Sequence, residues 1–327
     1  MKVLVTGANG FTGSHLARQL CRDGLQVRAL VRPGADLALL EQAAVEVVHA
    51  EIGEDRPLDG AVAGCRVVYH VAAAYRAENI PRRVFFDVNV RGTRLLLEAA
   101  LRAGVTRFVH CSTVGVQGDI KNPPAREEDP YAPGDHYQES KVEGEELALA
   151  FHREHGLPVA VVRPTGIYGP GDTRFLKLFR AIRKGRFVMI GSGKVLYHLT
   201  YIDDLVQGFI LAGEKEAAVG QVFTIGGPGQ PELNDLVHGI AAAVHASPPR
   251  LRVPVWPVWA AGLLCEFACK PFGIQPPLYR RRVDFFRKER GFDIGKARRL
   301  LGYQPQIALA DGLRRTADWY REKGLLN

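Results

Sequence analysis

The sequence has no apolar run long enough to cross a bilayer, and the apolar part of its opening MKVLVTG is too short for a signal peptide, so a cytoplasmic protein is expected. It has no Cys-x-x-Cys. The five cysteines, Cys21, Cys65, Cys111, Cys265 and Cys269, are odd in number and dispersed, which argues against a disulfide framework and against structural zinc. They read as small apolar side chains in a reducing compartment, and no metal site is expected. Internal repeats, low-complexity tracts and any helix-turn-helix, finger or RNA-binding signature are also missing, so the formal charge of +8 is read without a nucleic-acid partner. An anionic cofactor or small-molecule substrate is the milder explanation. What remains is ordinary for a globular protein with a real core: 46% apolar and 24% charged residues in 327.

Short β-branched runs alternate with helical periodicity. KVLVTG (2–7) is followed by SHLARQLCRDG (14–24), then by VRALV (27–31), VEVVHA (45–50), VVYHVA (67–72), a helix over 84–104, RFVHCST (107–113), a helix from YQESK onward, and VAVVRP (159–164). Strands separated by helices require a parallel sheet covered on both faces. The fold class expected is therefore α/β, a doubly wound parallel Rossmann sheet over 1–165 to which 195–225 returns. Residues 166–194 and 226–327, rich in turns and proline, are expected to form a smaller, irregular C-terminal lobe. Ligands of such open sheets bind at the carboxyl ends of the strands, so the cleft between the two parts is the expected site.

TGANGFTG places Gly7, Gly10 and Gly13 directly after the first strand and at the opening of the first helix. Glycine allows the tight turn and the close backbone approach, and the helix N-terminus offers free N–H groups to a pyrophosphate. In that strand-to-helix context the triplet predicts dinucleotide binding. The acid that NAD enzymes commonly place at the end of the second strand is missing, and Leu30-Val31-Arg32-Pro33 stands there instead. An arginine at this point can pair with a 2′-phosphate, which favours NADP(H) with NAD(H) as the alternative, or merely stack on the adenine. Farther along, YQESK (137–141) sets Tyr137 and Lys141 four residues apart, on one face of a helix about one turn apart. The pair alone would be an ordinary surface stack; its context decides.

Taken in order, TGANGFTG (6–13), VNVRGT (88–93), HCSTVGVQG (110–118), YQESK (137–141) and RPTGIYGPGD (163–172) resemble the extended short-chain dehydrogenase/reductase superfamily, the NAD(P)-dependent epimerase/dehydratase group. The resemblance covers nearly the whole chain. It implies Tyr137 as the proton-transfer group, Lys141 as the cation that lowers the phenol pKa and holds the nicotinamide ribose, and Thr113 as the hydroxyl on the substrate oxygen, with Ser112 the nearby alternative. It further implies that Asn9, Phe11 and Thr12 of the glycine loop, Glu51 and Ile52 beside the adenine, and Val71, Ala72 and Ala73 along the ribose path contact the cofactor. Asn89, Ser112, Pro164, Gly166 and Ile167 complete the implied cofactor contacts, and for Asn89, which resembles the family's helix asparagine, a structural role stands beside a catalytic relay.

Departures from the pattern narrow the reaction. Dehydratases of the superfamily follow the threonine with an Asp-Glu pair, whereas Val114 and Gly115 stand here, which disfavours dehydration. Two anchors of nucleotide-sugar epimerases are absent: Arg163-Pro164-Thr165-Gly166 lacks the asparagine, and Tyr197 replaces an arginine. Gln117 replaces the usual tyrosine before Gly118. Arg174, Lys177, Arg180 or Lys184 are the residues that could substitute as phosphate anchors. The C-terminal half looks more like the 3β-hydroxysteroid and sterol-carboxylate dehydrogenase branch, and VRALVRP like dihydroflavonol reductases and hopanoid-associated epimerase-like proteins. The expected reaction is thus interconversion of a secondary alcohol and a ketone on a bulky, largely apolar substrate. A nucleotide-sugar 4-epimerase with tightly held NAD, and a non-catalytic dinucleotide-binding sensor, are the alternatives.

Trp256, Trp259, Phe267, Phe272 and Tyr279 are candidates for an apolar wall, core packing being the competing reading. The run VWPVWAAGLLCEFA (255–268) is expected to be a buried helix beside a solvated face carrying Arg280, Arg281, Arg282, Arg287, Lys288 and Arg290. Contact of the 255–290 region with a membrane surface or a lipophilic substrate is the other reading. By resemblance, the helices near 84–103 and 137–155 imply a homodimer.

Overall fold

The structure is a computed structural model that describes residues 1–41, 43–54, 56–75, 80–269 and 283–326. Its centre is a seven-stranded parallel sheet. Six strands come from the first half of the chain: β1 (Lys2–Thr6), β2 (Gln26–Val31), β3 (Val45–His49), β4 (Val67–His70), β5 (Arg107–Cys111) and β6 (Val159–Pro164). The seventh, Val222–Ile225, returns to pair with β6, giving the order Val222–Ile225, β6, β5, β4, β1, β2, β3. From β1 the chain builds outward to β2 and β3, then crosses back to β4, so the direction of winding reverses between β1 and β4. A cleft opens at that point above the carboxyl ends of the strands.

Strand residues alternate between two buried layers, which is why the strands read as nearly continuous apolar runs. Val3 and Val5 join Leu16 and Leu20 of α1 (Phe11–Arg22) and Leu205 and Phe209 of the helix Ile202–Glu214. Leu4 faces the other way, into a cluster with Leu96, Leu97, Phe108 and Phe151. Each such side chain, when fully buried, contributes roughly 1.5–3 kcal/mol.

Two regions depart from the expectation. The helix over 84–104 is not regular: Arg82–Phe86 and Gly92–Arg102 are joined by a π-type turn, Asp87–Arg91. The widened turn swings Asn89 inward, and its amide closes a pair of hydrogen bonds with the backbone of Ala74, accepting from the nitrogen at 2.8 Å and donating to the oxygen at 3.1 Å. The run 255–268 is not buried either. It forms the helix Val255–Cys269, on which Trp256, Leu264 and Phe267 are 74%, 69% and 79% exposed. A helix apolar on all sides cannot satisfy every face against one neighbour, and these three side chains remain exposed. Of the residues expected in the adjoining basic face, Arg280, Arg281 and Arg282 lie outside the described residues, as do Phe272 and Tyr279.

Candidate active site

The cleft encloses about 1550 Å³ and begins at the glycine loop, with Gly7, Asn9, Gly10, Phe11, Thr12 and Gly13 on its floor. Gly7 has φ +64°, and a Cβ there would stand 2.8 Å from Cα of Ala72; a Cβ on Gly13 would collide with the Gly7 carbonyl oxygen. Only glycine lets β1, β4 and α1 approach this closely. The N-cap of α1 is Gly10, no side chain caps it, and no acidic residue occupies the first turn. Its positive end therefore faces the cleft uncompensated, and this cradle fits the pyrophosphate of a dinucleotide.

The remaining expected cofactor residues continue along the same cleft. Arg32 lines it from the end of β2 with its side chain exposed; Glu51 and Ile52 follow β3, and Val71, Ala72 and Ala73 follow β4. Ser112, Pro164, Gly166 and Ile167 line the side nearer β5 and β6. Asn89 does not. It is fully buried, does not line the cleft, and is spent on Ala74 and on the Ser140 hydroxyl at 2.9 Å, so its expected contact with cofactor is replaced by a positioning role.

Tyr137, Lys141 and Thr113 all reach the cleft. The tyrosine helix, His136–His155, starts where Asp135 accepts a hydrogen bond from the Gln138 nitrogen at 2.9 Å, and it turns Tyr137, Ser140, Lys141, Gly144 and Glu145 inward. Tyr137 is held edge-on by Tyr75 and Phe85, at ring-centroid distances of 5.2 and 6.3 Å. Lys141 is 2% exposed and donates to the carbonyl oxygen of Cys111; burial holds its pKa below the usual lysine value. Thr113 accepts from the Gly115 nitrogen at 3.1 Å, which leaves its own O–H to donate. Ser112 instead donates to the Glu145 carboxylate, so its hydroxyl proton is already committed.

Sequence reasoning missed Tyr75, whose signal was a lone aromatic just after the small residues Val71–Ala74, and it missed what lies beneath the site. His70 ends β4 fully buried, with Nδ1 2.9 Å from the Thr6 hydroxyl and Nε2 2.9 Å from that of Thr93. Because Thr93 donates to the Asn89 carbonyl oxygen at 2.7 Å, it accepts from His70 Nε2–H, and Nδ1 accepts from Thr6. Asn89 then donates to Ser140, which donates to the Tyr137 carbonyl oxygen at 2.8 Å. A polar chain thus ties the end of β1 to the tyrosine helix. A polar residue closing the otherwise apolar strand VVYH was the only trace of it in the sequence.

The chain works only with neutral His70. Burial, reinforced by the Lys141 charge, lowers the pKa of His70 to about 3, and burial likewise holds His110, 5.5 Å away between ring centroids, well below the ordinary histidine value. Between the folded and unfolded values the unfolded chain binds more protons, so stability falls as pH falls below about 6.5. We expect unfolding free energy to drop by up to about 1.4 kcal/mol per pH unit for each histidine across that window. Urea titrations between neutral and mildly acidic pH measure it, and a Gln at 70 should flatten the slope.

Residues 3–226 match the NAD dependent epimerase/dehydratase family. The chain is 33% identical over 341 residues to a 3-beta-hydroxysteroid dehydrogenase of Mycolicibacterium neoaurum, covering 98% of this chain and 92% of that protein. It is 30% identical over 343 residues to sterol demethylase protein B of Methylococcus capsulatus, covering 100% of both. The crystal structure of UDP-glucuronic acid 4-epimerase from Bacillus cereus in complex with NAD superposes with a TM-score of 0.78 at 26% identity, covering 99% of each chain. Parallel sheet, glycine cradle and sequence agree: the protein is an oxidoreductase belonging to the NAD-dependent epimerase/dehydratase family.

Proposed function

We propose that this enzyme interconverts a secondary alcohol and a ketone on a bulky, largely apolar substrate, exchanging hydride with the bound dinucleotide. The observation that carries this is the meeting of Tyr137, Lys141 and Thr113 in a cleft whose lining includes Tyr75, Val84, Trp259, Phe285 and Phe292. Tyr137 passes a proton to or from the substrate oxygen, Thr113 donates a hydrogen bond to that oxygen, and the Lys141 cation favours the phenolate. The dinucleotide, held on the glycine cradle, supplies the hydride chemistry. Trp259 lines the cleft, whereas Trp256 and Phe267 of the same helix, expected there too, do not and are exposed.

The nucleotide-sugar 4-epimerase reading draws on the likeness to the Bacillus cereus enzyme and on the cations that line the cleft. Three of those cations already have protein partners. Arg174 is 2.7 Å from Asp172, Lys288 is 3.0 Å from Asp284, and Arg290 donates to the Asp284 carbonyl oxygen at 3.0 Å. Recruiting them to a diphosphate would cost those contacts, which supports the apolar substrate; the relatives named as steroid and sterol enzymes point the same way. Oxidised cofactor incubated with 3β-hydroxysteroids should give a net rise in the reduced-nicotinamide band. Inversion of a nucleotide sugar with no net change would refute the proposal in favour of the epimerase.

NAD is the cofactor of the family, and we propose that Arg32 also gives this chain a grip on the 2′-phosphate of NADP(H). Arg32→Ala should then weaken NADP(H) about tenfold or more while changing NAD(H) little. Calorimetric titration with both cofactors decides it, and equal losses would remove Arg32 from that role.

A further inference from the structure

Phe11, Tyr75 and Arg174 all line the cleft, and the chain brings them there from different places. Phe11 and Tyr75 follow β1 and β4, which are neighbours in the sheet; Arg174 comes from the chain beyond β6, past the short strand Gly166–Tyr168. The Arg174 guanidinium carbon stands 5.5 Å from the centre of the Phe11 ring and 5.9 Å from that of Tyr75. Phe11 opens α1 at the glycine cradle, and Tyr75 is the ring set edge-on against Tyr137. The guanidinium therefore bridges the stretch of cleft between the cradle, which fits the pyrophosphate, and Tyr137. The two ends of this bridge are held differently. Arg174 Nε is 2.7 Å from an Asp172 carboxylate oxygen that also accepts from the Arg174 backbone nitrogen at 2.9 Å, and Nη2 donates to the Ile167 carbonyl oxygen at 2.9 Å. Asp172 is 2% exposed, and its carbonyl oxygen accepts from the Tyr320 hydroxyl at 2.6 Å, so the arginine is anchored in the body of the protein. Tyr75 is 49% exposed. A cation over an aromatic ring at a water-exposed site is a weak contact, and exposed side chains change rotamer quickly, so the tyrosine end is the one that opens.

We propose that Arg174 and Tyr75 form a clasp across the cleft, and that the nicotinamide half of the dinucleotide passes it on entry and release when Tyr75 swings aside. Arg174 keeps its bonds to Asp172 and Ile167 throughout, so it is the fixed post of the clasp and not a phosphate ligand. A clasp that closes equally well with and without cofactor slows association and dissociation by the same factor and leaves affinity nearly unchanged. The inference rests on the placement of the nicotinamide beside Tyr137, which the kinetics of Tyr137→Phe test separately.

Stopped-flow fluorescence of NADH binding to the full chain reads both rate constants with no substrate present, so the outcome is independent of the reaction assigned. Tyr75→Leu, which leaves the Arg174–Asp172 pair intact, should raise association and dissociation together by about two- to fivefold, the factor that a cation–π contact at an exposed site represents. Arg174→Met should do the same, and the double variant should be no faster than either single one, because each removes the same contact. ADP labelled with a methylanthraniloyl group on its ribose ends at the cradle, and its rates should stay at the wild-type values in all three. Arg174→Met also strips Asp172 of its counter-charge, so its melting temperature is read alongside; where it fails to fold, Tyr75→Leu decides alone. Unchanged NADH rates in Tyr75→Leu would overturn the clasp. A faster dissociation of Arg174→Met with wild-type association would overturn it in favour of a direct grip on phosphate, and equal acceleration of the labelled ADP would overturn it in favour of a general loosening of the cleft.

Discussion

Tyr137→Phe should lower kcat by about 10²–10⁴ while leaving dinucleotide affinity within about twofold of the wild type. The substitution removes one oxygen and nothing else. The ring stays wedged between Tyr75 and Phe85, the helix keeps its Asp135 cap, and Ser140 still donates to the backbone carbonyl of residue 137. The glycine cradle is formed by other residues, so the cofactor has no reason to leave. On the proposed mechanism, what is lost is the group that carries the proton when hydride moves, and no other described hydroxyl is as well placed to replace it. Thr113 offers only its own donor to the substrate oxygen, and Ser112 is committed to Glu145. Stopped-flow kinetics with fluorescence titration of the cofactor separates the two quantities. A variant that turns over at the wild-type rate would remove Tyr137 from the mechanism.

Arg163→Met should cost about 3–5 kcal/mol of stability, the largest loss we expect from any single change outside the glycine loop. Arg163 is 2% exposed and the Glu145 side chain 0%. The guanidinium meets both carboxylate oxygens at 2.6–3.1 Å and donates to the Glu127 carbonyl oxygen at 3.0 Å, and Glu145 also accepts from Tyr131 at 3.0 Å. Burial alone would lower the pKa of Arg163, but the hydrogen bonds and charge of Glu145 raise it above the usual arginine value. Removing the cation leaves a buried carboxylate with two hydroxyl donors and no counter-charge. The double variant Arg163→Met/Glu145→Leu, which removes both charges, should regain most of the loss. Urea unfolding reads both variants, and equal destabilisation by single and double variants would contradict the account.

This pair also shows where sequence reading ended. Arg163 stood out only as part of a motif lacking its asparagine, and nothing in the spacing linked it to Glu145, because their meeting depends on how the tyrosine helix packs on β6. Patterns local to a few residues were legible: the strands, since buried parallel strands are continuous β-branched runs, and the glycine loop, since backbone approach admits no side chain. Tyr137 and Lys141 were legible through helical spacing read in that context. The π-type turn was not, because an added residue leaves the apolar periodicity on either side intact, and so the sequence does not say that Asn89 is spent on Ala74 and Ser140. The apolar helix failed for a related reason: VWPVWAAGLLCEFA is apolar in every direction, and composition without a polar face does not say which edge meets protein.

The central claim is that the carbinol hydrogen of an apolar alcohol leaves as hydride to the dinucleotide beside the Tyr137 oxygen. It is tested most directly with a 3β-hydroxysteroid carrying deuterium at the carbinol carbon. Mass spectrometry of the reduced nicotinamide should show one deuterium per turnover with the wild type and almost none with Tyr137→Phe. Unlabelled reduced cofactor from the wild type, or deuterium transfer at an undiminished rate by the phenylalanine variant, would contradict it.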